Sequence, residues 1–196
     1  MNAIPYRKRR QMKRQLRAWR RQAEWKYADE IFADRDYIAC VKDILEDPVF
    51  CSMANYIQHG TTSTREHCVQ VSYCAYTIAR MLHANYTCVA RAGLLHDLFL
   101  YDWHDLRVEE GTPFWKLHGF THPRKALKNA ERHFHLNKVE KDCILCHMWP
   151  MTIIPPKFTE GYILCYADKY CAAAEVAVNM RKKITRPIVG LGRKLL

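Results

Sequence analysis

Histidine and aspartate side chains recur at five separated places along this chain, and they constrain its fold more than any other feature. The members of this series are His67, the adjacent pair His96 and Asp97, then His122, His147 and Asp168. Each lies on or beside a segment whose apolar residues repeat at helical spacing. Imidazole and carboxylate groups together suit divalent first-row metals, and hydrated side chains converge in a helical core only around something charged. The series therefore predicts a metal site assembled from several helices.

The hydrophobic periodicity predicts an all-α fold, with no strand signal of any length. The predicted helices cover about 34–47, 49–56, 63–82, 88–98, 123–134, 138–148 and 161–182. Ser63 and Glu66 have the spacing of a capping box, which marks the start of the third helix. Residues 99–121 mix aromatic and acidic side chains with glycine and proline, and they predict a long irregular connection. This connection could stack a nucleobase or act as a lid packed on the core.

Length and composition predict a single domain in the cytoplasm. With 196 residues, 49% of them hydrophobic, the chain is large enough to bury a core. No apolar run approaches the roughly 20 residues of a transmembrane helix, and the N-terminus lacks the pattern of a signal peptide. The nine cysteines are an odd number, so reduced thiols that fill the core are favoured over a disulfide framework.

Cys143, Cys146 and His147 form a CxxCH pattern, which admits three interpretations. The pattern matches covalent haem attachment, but such attachment usually takes place on exported proteins. It also matches half of a zinc site, but the sequence has no second CxxC to complete one. We favour the third interpretation, in which two thiols lie on the buried side of a helix that presents His147.

The positive charge is concentrated at the start of the chain. The net charge is +11, and residues 1–21 hold nine basic side chains and no acid, while the remainder holds 22 basic and 20 acidic groups. Met12, Leu16 and Trp19 fall at helical spacing there, so residues 1–25 are predicted to be a basic amphipathic arm and 26–196 a single domain. Three interpretations of the arm stay open: nucleic-acid binding, binding to an anionic membrane surface, or a solvated segment that docks on its own domain.

The adjacent pair His96 and Asp97 carries the most information about geometry. Neighbours on a regular helix point about 100° apart, so both side chains can reach one ion only where the helix ends. The apolar run 92–95 that precedes them predicts a buried helix that would hold the pair rigidly.

The motifs around the series resemble those of the HD-domain superfamily of metal-dependent phosphohydrolases. The motifs are Glu66-His67, Gly93-Leu94-Leu95-His96-Asp97, His122-Pro123, Ile144-Leu145-Cys146-His147 and Tyr166-Ala167-Asp168-Lys169. Their order and spacing agree with the superfamily over about 60–175. The resemblance implies an HD-domain helical bundle that holds one or two divalent ions. The ligand types admit iron, manganese, zinc, cobalt or nickel without distinguishing among them.

The resemblance also implies a role for each member of the series. The four core metal ligands are His67, His96, Asp97 and Asp168, with Asp97 the bridge where two metals bind. His122 and His147 match the histidines that hold the second metal in dinuclear members. His118 lies four residues before His122 and competes with it for that second ion. If His122 binds the ion, His118 is expected to contact a substrate phosphate or to donate a proton to the leaving group.

The six-ligand series is most similar to HD hydrolases that cleave diadenosine polyphosphates symmetrically. It is less similar to HD-GYP phosphodiesterases of cyclic dinucleotides, which carry a double histidine where this chain has His147-Met148. The resemblance implies attack on phosphorus by a metal-activated water on a nucleotide or small phosphorylated metabolite. The catalytic candidates are Asp97, His118 and Lys169. The candidates for binding the remaining phosphates are Arg65, Lys116, Arg124 and Lys169, each of which is equally well explained as a solvated side chain.

Two other functions are compatible with the sequence. The HD fold could serve as a nucleic-acid-binding or regulatory protein that works through residues 1–25. Hydrolysis of nucleic acid would combine the arm and the metal site, but the near-neutral charge of residues 22–196 favours a small substrate. The oligomeric state stays open.

Overall fold

The computed structural model of the chain describes residues 28–59, 62–103 and 111–192. Their α-helices are α1 (Ala28–Ala33), α2 (Arg35–Leu45), α3 (Pro48–Ser52), α4 (Thr64–Met81), α5 (Tyr86–Leu95), α6 (His118–His133), α7 (Lys138–Cys146) and α8 (Thr159–Gly192). Short 3₁₀ helices cover Met53–Asn55 and Phe114–Lys116. The predicted all-α class is therefore confirmed, while the predicted basic arm at 1–25 lies outside the described residues.

The structure contains a short strand pair for which the sequence carries no signal. Ile57–His59 (β1) pairs antiparallel with Thr62–Ser63 (β2). This ladder is shorter than the four residues over which an alternating pattern becomes visible in a sequence. β2 leads directly into α4, where the Ser63 side chain accepts from the Glu66 backbone N–H and the Glu66 carboxylate accepts from the Ser63 N–H. The predicted capping box is thus confirmed.

Helix α6 begins at His118, five residues before its predicted start, so Pro123 lies inside the helix. Pro123 has no N–H to donate to the carbonyl of Gly119. The loss is one hydrogen bond in the second turn of the helix. The early start affects the site. His118 and His122 are four residues apart, and because both lie within the helix they share one face of it.

The helices α4, α5, α7 and α8 surround the core. α5 packs against α2, α4, α7 and α8, and α6 packs against α7. A buried chain of hydrogen bonds ties α2, α4 and α5 together: the Tyr37 hydroxyl donates to Ser72 Oγ at 2.9 Å, and Ser72 Oγ donates to the Ala90 carbonyl at 2.6 Å. This core fixes the relative positions of the helix ends that carry the histidines and aspartates.

Gly93 allows α5 to approach α4 closely. A Cβ atom added at Gly93 would lie 2.6 Å from Ser72 Cα, a separation at which the helices must move apart. We expect Gly93→Ala to lower the free energy of unfolding by about 1–3 kcal/mol through overpacking, measured by urea denaturation. The control is Gly119→Ala in α6, whose nearest obstacle is the flexible Met151 side chain at 3.4 Å. An equal loss of stability in both variants would contradict this account of Gly93.

Candidate metal centre

The fold brings all six residues of the histidine and aspartate series to one place. His67 lies in the first turn of α4, His122 in α6 and Asp168 in α8. His96 and Asp97 directly follow the last residue of α5, and His147 directly follows α7. The prediction that the His96–Asp97 pair lies at a helix end is therefore confirmed. Five of the six are buried, and the side chain of Asp168 is 13% exposed.

Two overlapping groups of ligand atoms form within this cluster. The first group contains His67, His96 and Asp168, and the second contains His96, Asp97 and His147; within each group all ligand atoms lie within 4.8 Å of one another. Asp168 Oδ1 is 3.2 Å from His67 Nε2 and 3.7 Å from His96 Nε2. We call these the first and second metal positions.

Asp97 belongs to the second group, and its two oxygens face different histidines. Oδ2 is 3.5 Å from His96 Nε2, whereas Oδ1 is 3.2 Å from His122 Nε2 and 3.6 Å from His147 Nε2. His122 therefore joins the second position through Asp97. Asp97 therefore contacts His96, which also belongs to the first group, through one oxygen, and His122 and His147 through the other.

Three of the histidines are oriented by backbone carbonyls. His96 Nδ1 lies 2.8 Å from the Gly93 carbonyl, His147 Nδ1 lies 2.8 Å from the Ile144 carbonyl, and His122 Nδ1 lies 2.9 Å from the His118 carbonyl. Because a carbonyl oxygen only accepts, each Nδ1 carries a proton, and in the neutral ring each Nε2 presents a lone pair to the cluster. This arrangement is typical of histidines that bind a metal.

His67 is oriented differently, by a carboxylate. Its Nδ1 lies 3.0 Å from Glu175 Oε1, and its Nε2 lies 3.2 Å from Asp168 Oδ1. Both nitrogens of this buried ring therefore face acidic oxygens.

The donor atoms fit a divalent metal. His122 Nε2 and His147 Nε2 are 2.8 Å apart, so two lone pairs would repel each other unless a proton or a cation lies near them. Among the described residues, His96 Nε2 and Asp97 Oδ1 are buried without any hydrogen-bond partner. Such unsatisfied groups are costly, and a cation bound by four imidazoles and two carboxylates would satisfy them.

The cluster changes the pKa values of its own members. Burial opposes the charged form of His67, but hydrogen bonds to Asp168 and Glu175 outweigh it and raise its pKa to about 10. Burial would raise the pKa of Asp97, but His96, His122 and His147 hold it well below its usual range. Burial, together with the nearby His122 and His96, lowers the pKa of His147 to about 3. The cluster without metal therefore carries a protonated His67 and a neutral His147 at pH 7.

Metal uptake is expected to release protons. A metal ion binds through the Nε2 lone pair of His67. That nitrogen carries a proton at pH 7, because the pKa of His67, about 10, lies well above this pH. The apparent affinity should then rise by about tenfold per pH unit for each proton displaced, from pH 6 to 9. Calorimetric titration of the metal in buffers of different ionisation enthalpy measures the number of protons released. A heat of binding that is the same in all buffers would contradict the assignment of His67 as a ligand.

Two residues that contact the cluster, Gln58 and Glu175, were not predicted from the sequence. Gln58 Nε2 donates to Asp97 Oδ2 at 2.7 Å, and Thr64 Oγ1 lies 3.3 Å from Gln58 Oε1. Gln58 lies on β1, which no sequence signal revealed. Glu175 did leave a signal: it follows Asp168 by seven residues, two helical turns, and it is a lone acid after three consecutive alanines in an apolar segment.

His118 lies beside the cluster, outside both ligand groups. Its ring stacks on Trp103, with centroids 5.5 Å apart, and on His122 at 4.7 Å. Its Nδ1 is 3.1 Å from the Tyr101 hydroxyl, whose oxygen accepts from Lys125 Nζ at 3.2 Å. Because His122 Nε2 is the nitrogen that faces Asp97 and His147, the geometry favours His122 over His118 as the ligand.

The four cations proposed to bind phosphate lie in different surroundings. Lys169 Nζ donates to the His147 carbonyl at 2.9 Å and is 3.7 Å from Asp168 Oδ2, so it contacts two predicted ligand residues. Arg65 is buried, and its guanidinium lies 5.7 Å from the centre of the Phe50 ring. Lys116 and Arg124 are exposed on the 3₁₀ helix and on α6. Phosphate binding by these residues stays a prediction.

The CxxC cysteines pack as thiols. Cys143 and Cys146 are buried, and burial, with the nearby carboxylate of Asp142, raises the pKa of Cys146 to about 11. Within the described residues they belong to no group of three or more ligands. His147, the last residue of the CxxCH pattern, instead faces Asp97, in agreement with the favoured interpretation.

The comparisons with known proteins agree with this geometry. Residues 64–173 match the HD domain family model, a span that contains all six members of the series. No curated protein and no solved structure matches the chain. Within the described residues, none of the helices has both the length and the apolar character needed to cross a membrane.

Proposed function

This chain belongs to the HD domain family, and from that membership we propose that it hydrolyses a phosphate ester or anhydride of a nucleotide or small phosphorylated metabolite. The observation that supports the proposal most strongly is the convergence of four imidazoles and two carboxylates at the ends and faces of five helices. Two of their buried atoms, His96 Nε2 and Asp97 Oδ1, have no hydrogen-bond partner among the described residues.

Bound divalent ions would activate a water molecule and neutralise charge on the phosphoryl oxygens. The first position would be held by His67, His96 and Asp168, and the second by His122 and His147, with Asp97 between them. Gln58 holds Asp97 in place through its hydrogen bond to Oδ2. Lys169, beside Asp168 and the His147 carbonyl, supplies positive charge at the edge of the cluster for the substrate phosphates.

His118 is the candidate for a hydrogen bond to a substrate phosphate or to the leaving group. Lys125 Nζ can only donate, so the Tyr101 oxygen accepts from it and the Tyr101 hydroxyl hydrogen is directed to His118 Nδ1. This arrangement leaves the hydrogen of a neutral His118 on Nε2, so that nitrogen can donate a hydrogen bond to a substrate oxygen. The stacked rings of Trp103 and His122 fix the plane of the imidazole.

A combined metal analysis and substrate screen tests the proposal. The purified protein is analysed for transition metals. It is then assayed with diadenosine polyphosphates, mononucleotides and sugar phosphates in the presence of manganese, iron, cobalt, nickel or zinc. We expect hydrolysis of at least one class, lost on chelation and restored by metal. Absence of cleavage by protein shown to be loaded with metal would contradict the proposal.

The concentration of positive charge in residues 1–21 supports a second function, the binding of nucleic acid by the arm. If this function is real, removing residues 1–25 should abolish salt-sensitive binding to single-stranded RNA while hydrolysis continues unchanged. Fluorescence anisotropy at several salt concentrations measures the binding. Unchanged RNA binding by the shortened chain would exclude this role for the arm.

A further inference from the structure

The two metal positions differ in the charge of the groups that face the Nδ1 atoms of their histidines. At the second position, His147 Nδ1 and His122 Nδ1 face neutral backbone carbonyls, and so does Nδ1 of the shared His96. At the first position, His67 Nδ1 faces the carboxylate of Glu175 at 3.0 Å. Among the described histidines of the cluster, His67 is the one whose Nδ1 faces a carboxylate.

Glu175 is an unusual residue for the place that it occupies. It is 6% exposed, and its Oε2 is buried without a hydrogen-bond partner among the described residues. A buried carboxylate is costly unless a nearby positive charge compensates it. Its ion pair is with His67. Glu175 also lies beyond the residues 64–173 that match the family, so the family match does not account for it.

A carboxylate behind a metal-binding histidine strengthens the ligand in two ways. The hydrogen bond fixes the ring so that Nε2 stays directed at the ion, and the negative charge makes that nitrogen more basic. Glu175 and Asp168 lie on the same face of α8, two turns apart, and both contact His67. One helix therefore supplies the first position with a ligand and with the group that orients another ligand.

We propose that the two metal positions are inequivalent, and that Glu175 is the positioning residue that makes them so. The first position, formed by His67, His96 and Asp168, binds its ion tightly and fills first. The second position, formed by Asp97, His122 and His147 with the shared His96, binds more weakly and exchanges its ion. The inference rests on the metal centre of the proposed function, but not on any substrate.

Metal titration of the full chain tests this inference without an activity assay. Protein freed of metal by a chelator is titrated with Mn²⁺, and binding is followed by calorimetry and by equilibrium dialysis. We expect two classes of site with distinct Kd values and a total of two ions. Glu175→Gln should raise the Kd of the tight class by about 10- to 100-fold and leave the Kd of the weak class unchanged.

Two further variants separate this effect from general damage to the fold. Glu140→Gln removes another buried carboxylate, whose Oε1 lies 3.0 Å from Arg91 Nε. This ion pair lies outside the cluster, so the variant should change neither Kd. The double variant His122→Ala, His147→Ala should lose the weak class and keep the Kd of the tight class. This second result tests the inequality of the positions even if Glu175→Gln does not fold.

Several outcomes would overturn the inference. The first is two sites of equal affinity in the unmodified protein. The others are an equal loss of metal affinity at both sites in Glu175→Gln, or no loss of affinity in that variant. The failure of the proposed function is distinguishable, since a protein that binds two ions in this order and cleaves no phosphorylated substrate would keep the inference and lose the function. Conversely, metal-dependent hydrolysis with two equal sites would keep the function and overturn the inference.

Discussion

Replacing both His96 and Asp97 with alanine is expected to eliminate metal binding and catalysis together. His96 belongs to both ligand groups, and Asp97 lies between the two positions, so neither position keeps its full set of ligands. Because a metal ion contributes several kcal/mol to stabilising the reaction, we expect kcat/KM to fall by about 1,000-fold or more. Metal analysis and hydrolysis assays on the same preparation measure both losses.

A matched control for this variant is His133→Ala, which removes an exposed histidine from the C-terminal end of α6. It should keep the metal content and the activity of the unmodified chain. Circular dichroism shows whether the double variant retains its helices, so that loss of activity is not confused with unfolding. If the double variant kept full activity, the assignment of the site would be wrong.

The second large effect is expected on stability. The cluster without metal contains buried groups that lack hydrogen-bond partners and places two imidazole nitrogens 2.8 Å apart. Binding of an ion present at 1,000 times its Kd adds about 4 kcal/mol to the free energy of unfolding. For a chain of this length that corresponds to a rise in Tm of roughly 8–16 °C.

Differential scanning fluorimetry with and without chelator measures this shift. The increase should depend on metal concentration and should be absent in the double variant at His96 and Asp97. A Tm that is unaffected by chelation and by added metal would contradict the metal centre.

The sequence allowed the fold class to be predicted because helical periodicity is a local signal. It allowed the convergence of the six residues to be predicted because their ligand types, and the resemblance of their motifs to the HD-domain superfamily, indicate one metal site. Helical periodicity locates the helices, and the placement of His96 and Asp97 follows from the geometry of a helix end. The capping box at Ser63 and Glu66 is similarly local, since its two hydrogen bonds join residues three positions apart. The helices and the capping box can therefore be predicted without knowledge of how the helices pack.

The start of α6 was mispredicted because a strong local preference was overridden. Pro123 favours the first turn of a helix, but the helix extends back to His118, at the cost of one hydrogen bond. Gln58 could not be foreseen either, because its contact with Asp97 joins residues 39 positions apart through a ladder too short to leave a pattern. The role of Glu175 depends on the packing of α8 against α4, and therefore on a contact across 108 positions.

The cluster places polar and charged side chains in the core at a cost in stability. Asp97, His96 and His147 occupy buried positions that apolar side chains would otherwise fill. The backbone carbonyls of Gly93 and Ile144 hold the histidines with their Nε2 lone pairs directed inward. An arrangement of this kind is pre-organised to receive a cation, so little rearrangement is needed when the ion binds.

The most direct test of the metal centre is anomalous X-ray diffraction from crystals of the metal-loaded protein, measured on either side of the absorption edge of the bound metal. We expect an anomalous peak within bonding distance of His67, His96, Asp97 and Asp168, and a second peak beside His122 and His147 at high metal concentration. Well-ordered density for these six side chains with no anomalous peak among them, in protein soaked with saturating metal, would contradict it.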